Sequence, residues 1–412
     1  MGGNIHAWLI GLLLAASPAL AAGEMVVYGK LDMDFERVSA TGSTALAGAP
    51  AVAGGNDKPW RNRVSSNSSY IGIKGADDLR EGLQSFFQIE CGLSQDTGGA
   101  ATTSSTGNGI SNTFASRNSA LGIKGDLGTL FFGSWETPYR TGFNGLDPFG
   151  YTGIGGFSLL GNGHTTNPNV GNLVSFSRRQ NNSVQYWTPD MGGASVNFAY
   201  SANEEKPALG AVTPATPAGY SPSLFSVSGT YSNERLYGLL GYERHTDYTS
   251  VGQSDYGINL GGSYSWDGTK VGLVFEQLHY RFGGAAANVD AAFNPYVKAG
   301  AATVSAAGDL KIAAWAFFFS QDVGDRGQVR AAYEHATDAT GSAVVAGART
   351  GAAKITFGYG LTVSKRTEFY AVYTRIRNHA NGTYDFTTNL IGTAPTGGAH
   401  PQGIGAGIKY VF

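Results

Sequence analysis

The sequence predicts an all-β membrane protein, a closed antiparallel transmembrane β-barrel of sixteen strands. Three observations carry this reading. Apolar and polar residues alternate with period 2 in segments of about ten residues, the length a tilted membrane strand needs. The connections between those segments are alternately short and long. The chain opens on an export signal, and no later apolar run approaches the roughly 18 residues of a helical span.

The export signal is read first. Residues 8–16, W-L-I-G-L-L-L-A-A, form an apolar run too short for a permanent helical span, followed by the cleavage pattern Ala19-Leu20-Ala21. Residues 1–21 are therefore expected to be a signal peptide and 22–412 the barrel, although Met1–His6 lacks the usual Lys or Arg.

The first strand follows at once. Met25, Val27, Leu31, Met33 and Phe35 share one face, and Tyr28, Lys30, Asp32, Asp34 and Glu36 share the other. The same alternation, bounded by turn residues, places strands near 25–38, 67–76, 82–95, 115–126, 128–136, 178–188, 193–203 and 223–233. A second set lies near 235–246, 254–266, 269–281, 309–321, 327–337, 352–364, 366–377 and 403–412. A further strand at Leu173–Ser177 is rejected, because it would put the two termini on opposite ends of an up-and-down barrel.

Connections after even strands are short, for example Asp77–Glu81, Leu127, Asp190–Gly192, Asp267-Gly268 and Lys365. Those after odd strands are long and rich in Gly, Ala, Ser, Thr, Asn and Pro, for example Ser39–Ser66, Pro207–Pro222, Phe282–Gly308 and Asn378–Gln402. Sorting loops by length onto opposite ends is a property of outer-membrane barrels.

Composition agrees. Gly makes up 61 of 412 residues, roughly twice the usual share, and charged residues are 14% against a usual 25% or so. Mean hydropathy is −0.13, as expected where an apolar outer face alternates with a polar lumen. The 21 Tyr and six Trp suit aromatic belts at the two membrane boundaries. Net charge is −2, so nothing favours a nucleic-acid partner, and one Cys allows neither an internal disulfide nor a Cys-rich zinc site. No motif for a cofactor, a metal or a catalytic nucleophile is present; Gly403–Gly407 resembles a phosphate-binding turn but lies in a strand with no helix after it. His335 beside Glu334 is the one candidate for barrel-enzyme chemistry, and a lumen or rim histidine is the preferred reading.

Several motifs, in order, resemble the Gram-negative general porins, particularly the β-proteobacterial trimeric type. They are Val27–Asp32, Tyr70–Gly75 with Asp77-Asp78-Leu79, Gln88-Ile89-Glu90, Leu121–Gly125 with Leu127-Gly128-Thr129, Thr137-Pro138-Tyr139, Asp147–Gly150, Asn181–Tyr186 and the terminal Phe412. The resemblance implies a passive, water-filled homotrimeric channel in the outer membrane for small hydrophilic solutes and ions, not an enzyme. A substrate-selective channel of the same fold is the alternative, and a barrel enzyme or adhesin is a more distant one. It also implies contact with outer-membrane lipid and lipopolysaccharide. Loop 3, about residues 137–177, is implied to fold inward and narrow the channel, with acidic groups facing an arginine cluster. Carried over by position, the constriction would hold Glu136 and Asp147 against Arg117, Arg178 and Arg179. Tyr70 and Ser134 stand where the family usually places wall arginines, and Arg61 and Arg63, just before strand two, are placed to replace that charge. After Glu136, loop 3 offers only Arg140, Asp147 and His164, which implies a weak field. Tyr410 and Phe412 resemble the C-terminal signal read by the outer-membrane assembly machinery.

Overall fold

Alternation on this scale can be satisfied only by a wall with one wet and one apolar face. The computed structural model is a closed antiparallel barrel, and it describes residues 25–43, 57–96, 114–150, 153–162, 175–202, 222–249, 252–283, 307–344, 346–391 and 397–412. The expected signal peptide (1–21) and His164 lie outside the described residues.

The strands are β1 (Met25–Thr41), β2 (Lys58–Ser66), β3 (Ser69–Arg80), β4 (Leu83–Leu93), β5 (Ser119–Gly125), β6 (Gly128–Glu136), β7 (Arg179–Trp187), β8 (Ala194–Ser201) and β9 (Ser223–Ser232). They continue as β10 (Leu236–Thr246), β11 (Ser254–Trp266), β12 (Thr269–Gly283), β13 (Ala307–Val323), β14 (Gly327–Ala336), β15 (Ala352–Ser364), β16 (Thr367–Asn378) and β17 (His400–Val411). β1 pairs with both β2 and β3, each strand from β3 onward pairs with the next, and β1 closes the barrel on β17 from Lys30↔Val411 to Thr41↔His400. Beyond that ladder the Gly29 and Phe412 backbones exchange two hydrogen bonds of 3.0 Å.

The seventeen segments make sixteen staves, because β2 and β3 lie end to end against β1. The break falls at Asn67-Ser68, where Ser68 adopts φ +56°. The Ser69 hydroxyl repairs the ladder across the break by accepting from Asp32 N (2.9 Å).

The stave count matches the sequence expectation, but the first long connection needs correcting. Lys58–Ser66 is strand rather than loop, so Arg61 and Arg63 sit on the wall and not before it. The segment K-P-W-R-N-R escaped detection because both of its faces are largely polar, which erases the period-2 contrast. The expected strand at 115–126 is shorter, Ser119–Gly125. Phe176 and Ser177 form no strand.

Burial is inverted relative to a soluble protein. Leu121 (66% exposed) and Leu260 (60%) point outward, whereas Glu243 (0%) and Glu276 (1%) point inward and are covered. Closed ladders satisfy the backbone throughout the wall, which lipid requires. No helix among the described residues is long and apolar enough to cross a membrane.

Candidate pore constriction

The site is assembled on the polar-parity face of the wall, opposite the exposed apolar residues. Its first part is the chain leaving β6. Thr137 caps helix α1 (Pro138–Asn144), accepting from Arg140 N, and Pro138 at the first turn supplies a preset φ. Tyr139 is fully buried. Its hydroxyl donates to Glu276 Oε1 of β12 (2.6 Å), its N–H to Ser226 Oγ of β9 (3.0 Å), and its carbonyl accepts from Asn259 Nδ2 of β11 (3.2 Å). Burial, then the neighbouring Glu276 carboxylate, pushes the Tyr139 hydroxyl well above its usual range, so it remains a donor. Gly257 of β11 makes room for this contact: a Cβ there would lie 3.0 Å from the Tyr139 hydroxyl and 2.9 Å from the Phe176 ring.

Beyond α1, Asp147 is 8% exposed and folds its carboxylate back onto the segment itself, accepting from Phe149 N (2.9 Å) and Phe157 N (2.8 Å). The following turn is held by the wall. Glu334 Oε2 of β14 accepts from both Ser158 N and Leu159 N at 2.8 Å. Glu276 Oε2 accepts from Gly161 N (2.6 Å). Lys354 of β15 pairs with Glu334 Oε1 (3.2 Å) and donates to the Gly156 carbonyl and Ser158 Oγ. Phe143, Leu146, Ile154, Phe157, Leu160 and Phe176 then share an apolar cluster with Leu239, Val274 and Tyr280 of the wall.

A second segment, residues 383–391 between β16 and β17, meets the first. Thr387 Oγ1 donates to the Gly156 and Phe157 carbonyls (both 2.7 Å). Asn389 Nδ2 donates to Asn67 Oδ1 (2.7 Å), Arg63 Nη1 to the Leu390 carbonyl (2.8 Å) and Arg61 to the Ile391 carbonyl. Tyr384, Phe386 and Ile391 are buried there. Burial raises the Asp385 carboxyl to about 6, although the N–H groups of Ile391 and Phe386 and the nearby Arg63 and Arg61 oppose the shift.

The sequence-derived residues fall into separate groups. Glu136 meets Arg179 Nη2 (3.2 Å), Arg140 Nη2 (3.3 Å) and Asn144 Nδ2 (2.9 Å). Arg179 Nε also donates to Asn118 Oδ1 (2.7 Å). Next to them Arg117 lies 3.6 Å from Glu90 Oε2 and 4.8 Å from the Tyr70 ring centroid, and Glu90 accepts from the Tyr28 hydroxyl (2.9 Å). Arg178 is fully buried elsewhere, its guanidinium 5.1 Å from the Tyr248 ring centroid. Arg63 stands on the opposite side of the Asn67 break, paired with Glu36, which also accepts from Ser65 Oγ (3.0 Å). Tyr410 stacks on Phe412 (6.2 Å between centroids, 25°) at the barrel seam, where Phe412 is bonded to Gly29.

Sequence reasoning missed the loop-holding role of Glu276, Glu334 and Lys354, and it missed the 383–391 segment. The first three had a readable signal, a lone charge on the polar parity of a strand whose other face is apolar. The last had none, because contacts between loops leave no periodicity.

Nothing in this arrangement has the form of a catalytic centre, and no group of three His, Cys, Asp or Glu among the described residues is placed to hold a metal ion. The family model for the Gram-negative porins matches residues 9–381. The outer membrane porin protein 32 of Delftia acidovorans is 23% identical over 98% of both chains. The major outer membrane protein P.IA of Neisseria meningitidis is 25% identical over 62% of this chain and 66% of its own length. Among solved structures, the anion-selective porin from Comamonas acidovorans superposes with a TM-score of 0.69 at 22% identity, covering 94% of this chain and 99% of that one. A closed barrel of sixteen staves, polar within and apolar without, together with a family match over most of its length, makes this chain a member of the Gram-negative porin family, an outer-membrane channel for passive diffusion and not an enzyme.

Proposed function

We propose that the chain works as a homotrimeric diffusion porin in which loop 3 (about 137–177), at its described residues 137–150, 153–162 and 175–177, folds into the lumen, is locked there by 383–391, and leaves a narrow passage with a weak preference for anions. The observation that carries the reading is the anchoring of the Ser158–Gly161 backbone by Glu334 and Glu276, two inward-facing wall carboxylates. These carboxylates hold a loop, and so they are not displayed to passing ions.

The preference follows from which charges stay accessible. Arg61 is exposed, and the side chains of Arg117 (23%) and Arg63 (17%) are more open than those of Glu136 (14%), Glu90 (9%) or Glu36 (0%). A field set by such partly screened pairs is small but positive. In this reading Arg117, Arg63 and Arg61 face the passage. Arg179 and Arg178 position the loop root, Glu136 balances its arginines, and Asp147 braces the loop. Residues 1–21 direct export, and Tyr410 with Phe412 is recognised by the assembly machinery. The short staves β5 to β8, with exposed Leu121 and Phe132, suit a face shared between three copies.

The test is a reversal potential across a planar bilayer with a tenfold KCl gradient. The reading expects a modest potential of anionic sign and conductance steps grouped in threes. A cation-selective potential would overturn the charge assignment, and isolated single steps would overturn the trimer.

A further inference from the structure

The lumen face carries an apolar group that the seating of loop 3 does not use. On β4 to β7, near the short turns, the inward positions hold Phe86, Phe131, Trp135 and Trp187, while Phe87, Phe132 and Tyr186 beside them take the outer parity. The inward rings meet edge to face: Phe86–Phe131 at 6.3 Å, Phe131–Trp135 at 5.1 Å, Phe131–Trp187 at 5.2 Å and Trp135–Trp187 at 6.0 Å. Gly122 is level with both Phe86 and Phe131 and makes their approach possible, because a Cβ there would lie 2.5 Å from Phe131 Cβ. Phe131 (1% exposed) and Trp135 (6%) are the covered centre of the group. Phe86 and Trp187 are half-buried, and whatever an inward side chain leaves uncovered faces the lumen. Other inward apolar side chains, such as Leu239, Val274 and Phe318, belong to the cluster beneath loop 3; these four rings form a cluster of their own.

Cations bracket the rings. Along the inner face of β4 the order is Gln84, Phe86, Gln88, Glu90. Lys124 of β5 is level with Gln84, and Lys74 of β3 is level with Gln88, so one ammonium-bearing residue stands on each side of Phe86 along the strand. Lys124 is exposed and Lys74 half-buried. Lys124 is also level with Thr129, and Thr129 with Trp187, which separates their backbones by two strand spacings, roughly 10 Å. Toward the long loops lie Arg117, Arg140 and Arg179 with Glu90 and Glu136. On the short-turn side stands Asp78, which accepts from Gln84 Nε2 (2.7 Å). These groups are five cations to three carboxylates, a local field that favours an anion.

We propose, resting on the diffusion-porin reading, that Phe86 and Trp187, backed by Phe131 and Trp135, form a lumen subsite for small aromatic carboxylates on the short-turn side of the constriction. Ring faces and edges turned to water select a planar aromatic ring, which stacks or meets them edge-on. The cations on either side select a negative charge on that ring, and they disfavour an aromatic amine. The subsite deepens the porin reading by naming a solute class, of which benzoate is the simplest member.

The test uses the purified full-length protein in a planar bilayer, with KCl conductance recorded as solute is added on the short-turn side. The probes are benzoate, cyclohexanecarboxylate, which keeps the carboxylate without the π face, and benzyl alcohol, which keeps the ring without the charge. Aromatic contact beyond simple burial corresponds to about fivefold in affinity, so benzoate should half-block at a concentration about fivefold below that of cyclohexanecarboxylate. Benzyl alcohol should block more weakly than benzoate. In a Phe86→Leu/Trp187→Leu barrel that still conducts KCl, the two acids should half-block at equal concentrations. Trp187→Leu alone serves where the pair fails to fold, and it should narrow the difference between the acids. Equal block of the parent by the two acids, or a fivefold preference for benzoate that survives loss of both rings, would overturn the proposal. Equal block by benzoate and benzyl alcohol would overturn it as well. A parent barrel without KCl conductance is failure of the porin reading, whereas a conducting barrel indifferent to benzoate is failure of the subsite alone.

Discussion

Replacing Glu334 by Ala tests whether this carboxylate holds the proposed constriction. In the native barrel Glu334 accepts two backbone N–H bonds of 2.8 Å from Ser158 and Leu159 and pairs with Lys354 at 3.2 Å. Both charged partners are essentially inaccessible, Glu334 at 1% and Lys354 at 0%. A hydrogen bond to a charged acceptor contributes about 1.5–3 kcal/mol, so losing two removes about 3–6 kcal/mol from the loop seat. Stranding Lys354 costs about 3–5 kcal/mol, a contribution that overlaps the first and is not added to it. A loss of even 3 kcal/mol raises the population of the displaced loop by roughly two orders of magnitude. Single-channel recording should show a larger mean conductance with frequent flicker. Glu334→Gln, which keeps one acceptor oxygen, should fall between variant and parent. The double variant Glu334→Ala/Lys354→Met should recover barrel stability but not the quiet current. A folded Glu334→Ala barrel with parental conductance and noise would refute the idea that this carboxylate holds the loop.

Three further outcomes follow from the same geometry. Arg117→Gln removes the more exposed partner of the Arg117–Glu90 pair and should shift the reversal potential toward cations by several millivolts, an order of magnitude expected for one partly screened charge; an unchanged potential would take Arg117 out of the passage. Arg61→Ala with Arg63→Ala removes the donors to the Ile391 and Leu390 carbonyls and should free the 383–391 segment, read as faster backbone hydrogen exchange there and not in β17. Asp385 gives a pH dependence: its carboxyl titrates near 6 when seated, against about 4 when released. The seated form therefore holds its proton longer, so its stabilisation is complete below about pH 4, declines as pH rises to about 6 and is level above. Hydrogen exchange of the segment should quicken across that window, and Asp385→Asn should abolish the change.

How much of this was legible in the sequence depends on whether a residue's role is set by its own strand. Staves such as Tyr256–Tyr264 and Ile355–Val363 announce themselves, because bilayer and water impose opposite demands on alternate side chains. The turns at Asp267-Gly268 and Lys365 were equally plain. Lys58–Ser66 was not, since Arg61 and Arg63 face inward while Asn62 also resides on the outer parity at the rim, where water reaches both faces. Glu136 and Arg179 were found through family position, and they do meet. Arg178 has the same family position as its neighbour, yet it lies just ahead of β7, which begins at Arg179, and its fully buried guanidinium lies over Tyr248, apart from the Glu136 group. Asp147 was legible as an acid in loop 3 but not as a brace, because its partners Phe149 and Phe157 are backbone donors that any sequence supplies.

The most direct test of the central claim, a diffusion channel narrowed by wall-anchored loops, is conductance of the purified protein in a planar bilayer at increasing KCl. Stepwise insertion in groups of three is expected, with current close to linear in salt and voltage. A jump in unit conductance is also expected when the Ser158–Gly161 anchors Glu276 and Glu334 are both changed to Ala. Absence of any conductance, or a unit conductance indifferent to those two anchors in a folded barrel, would contradict the claim.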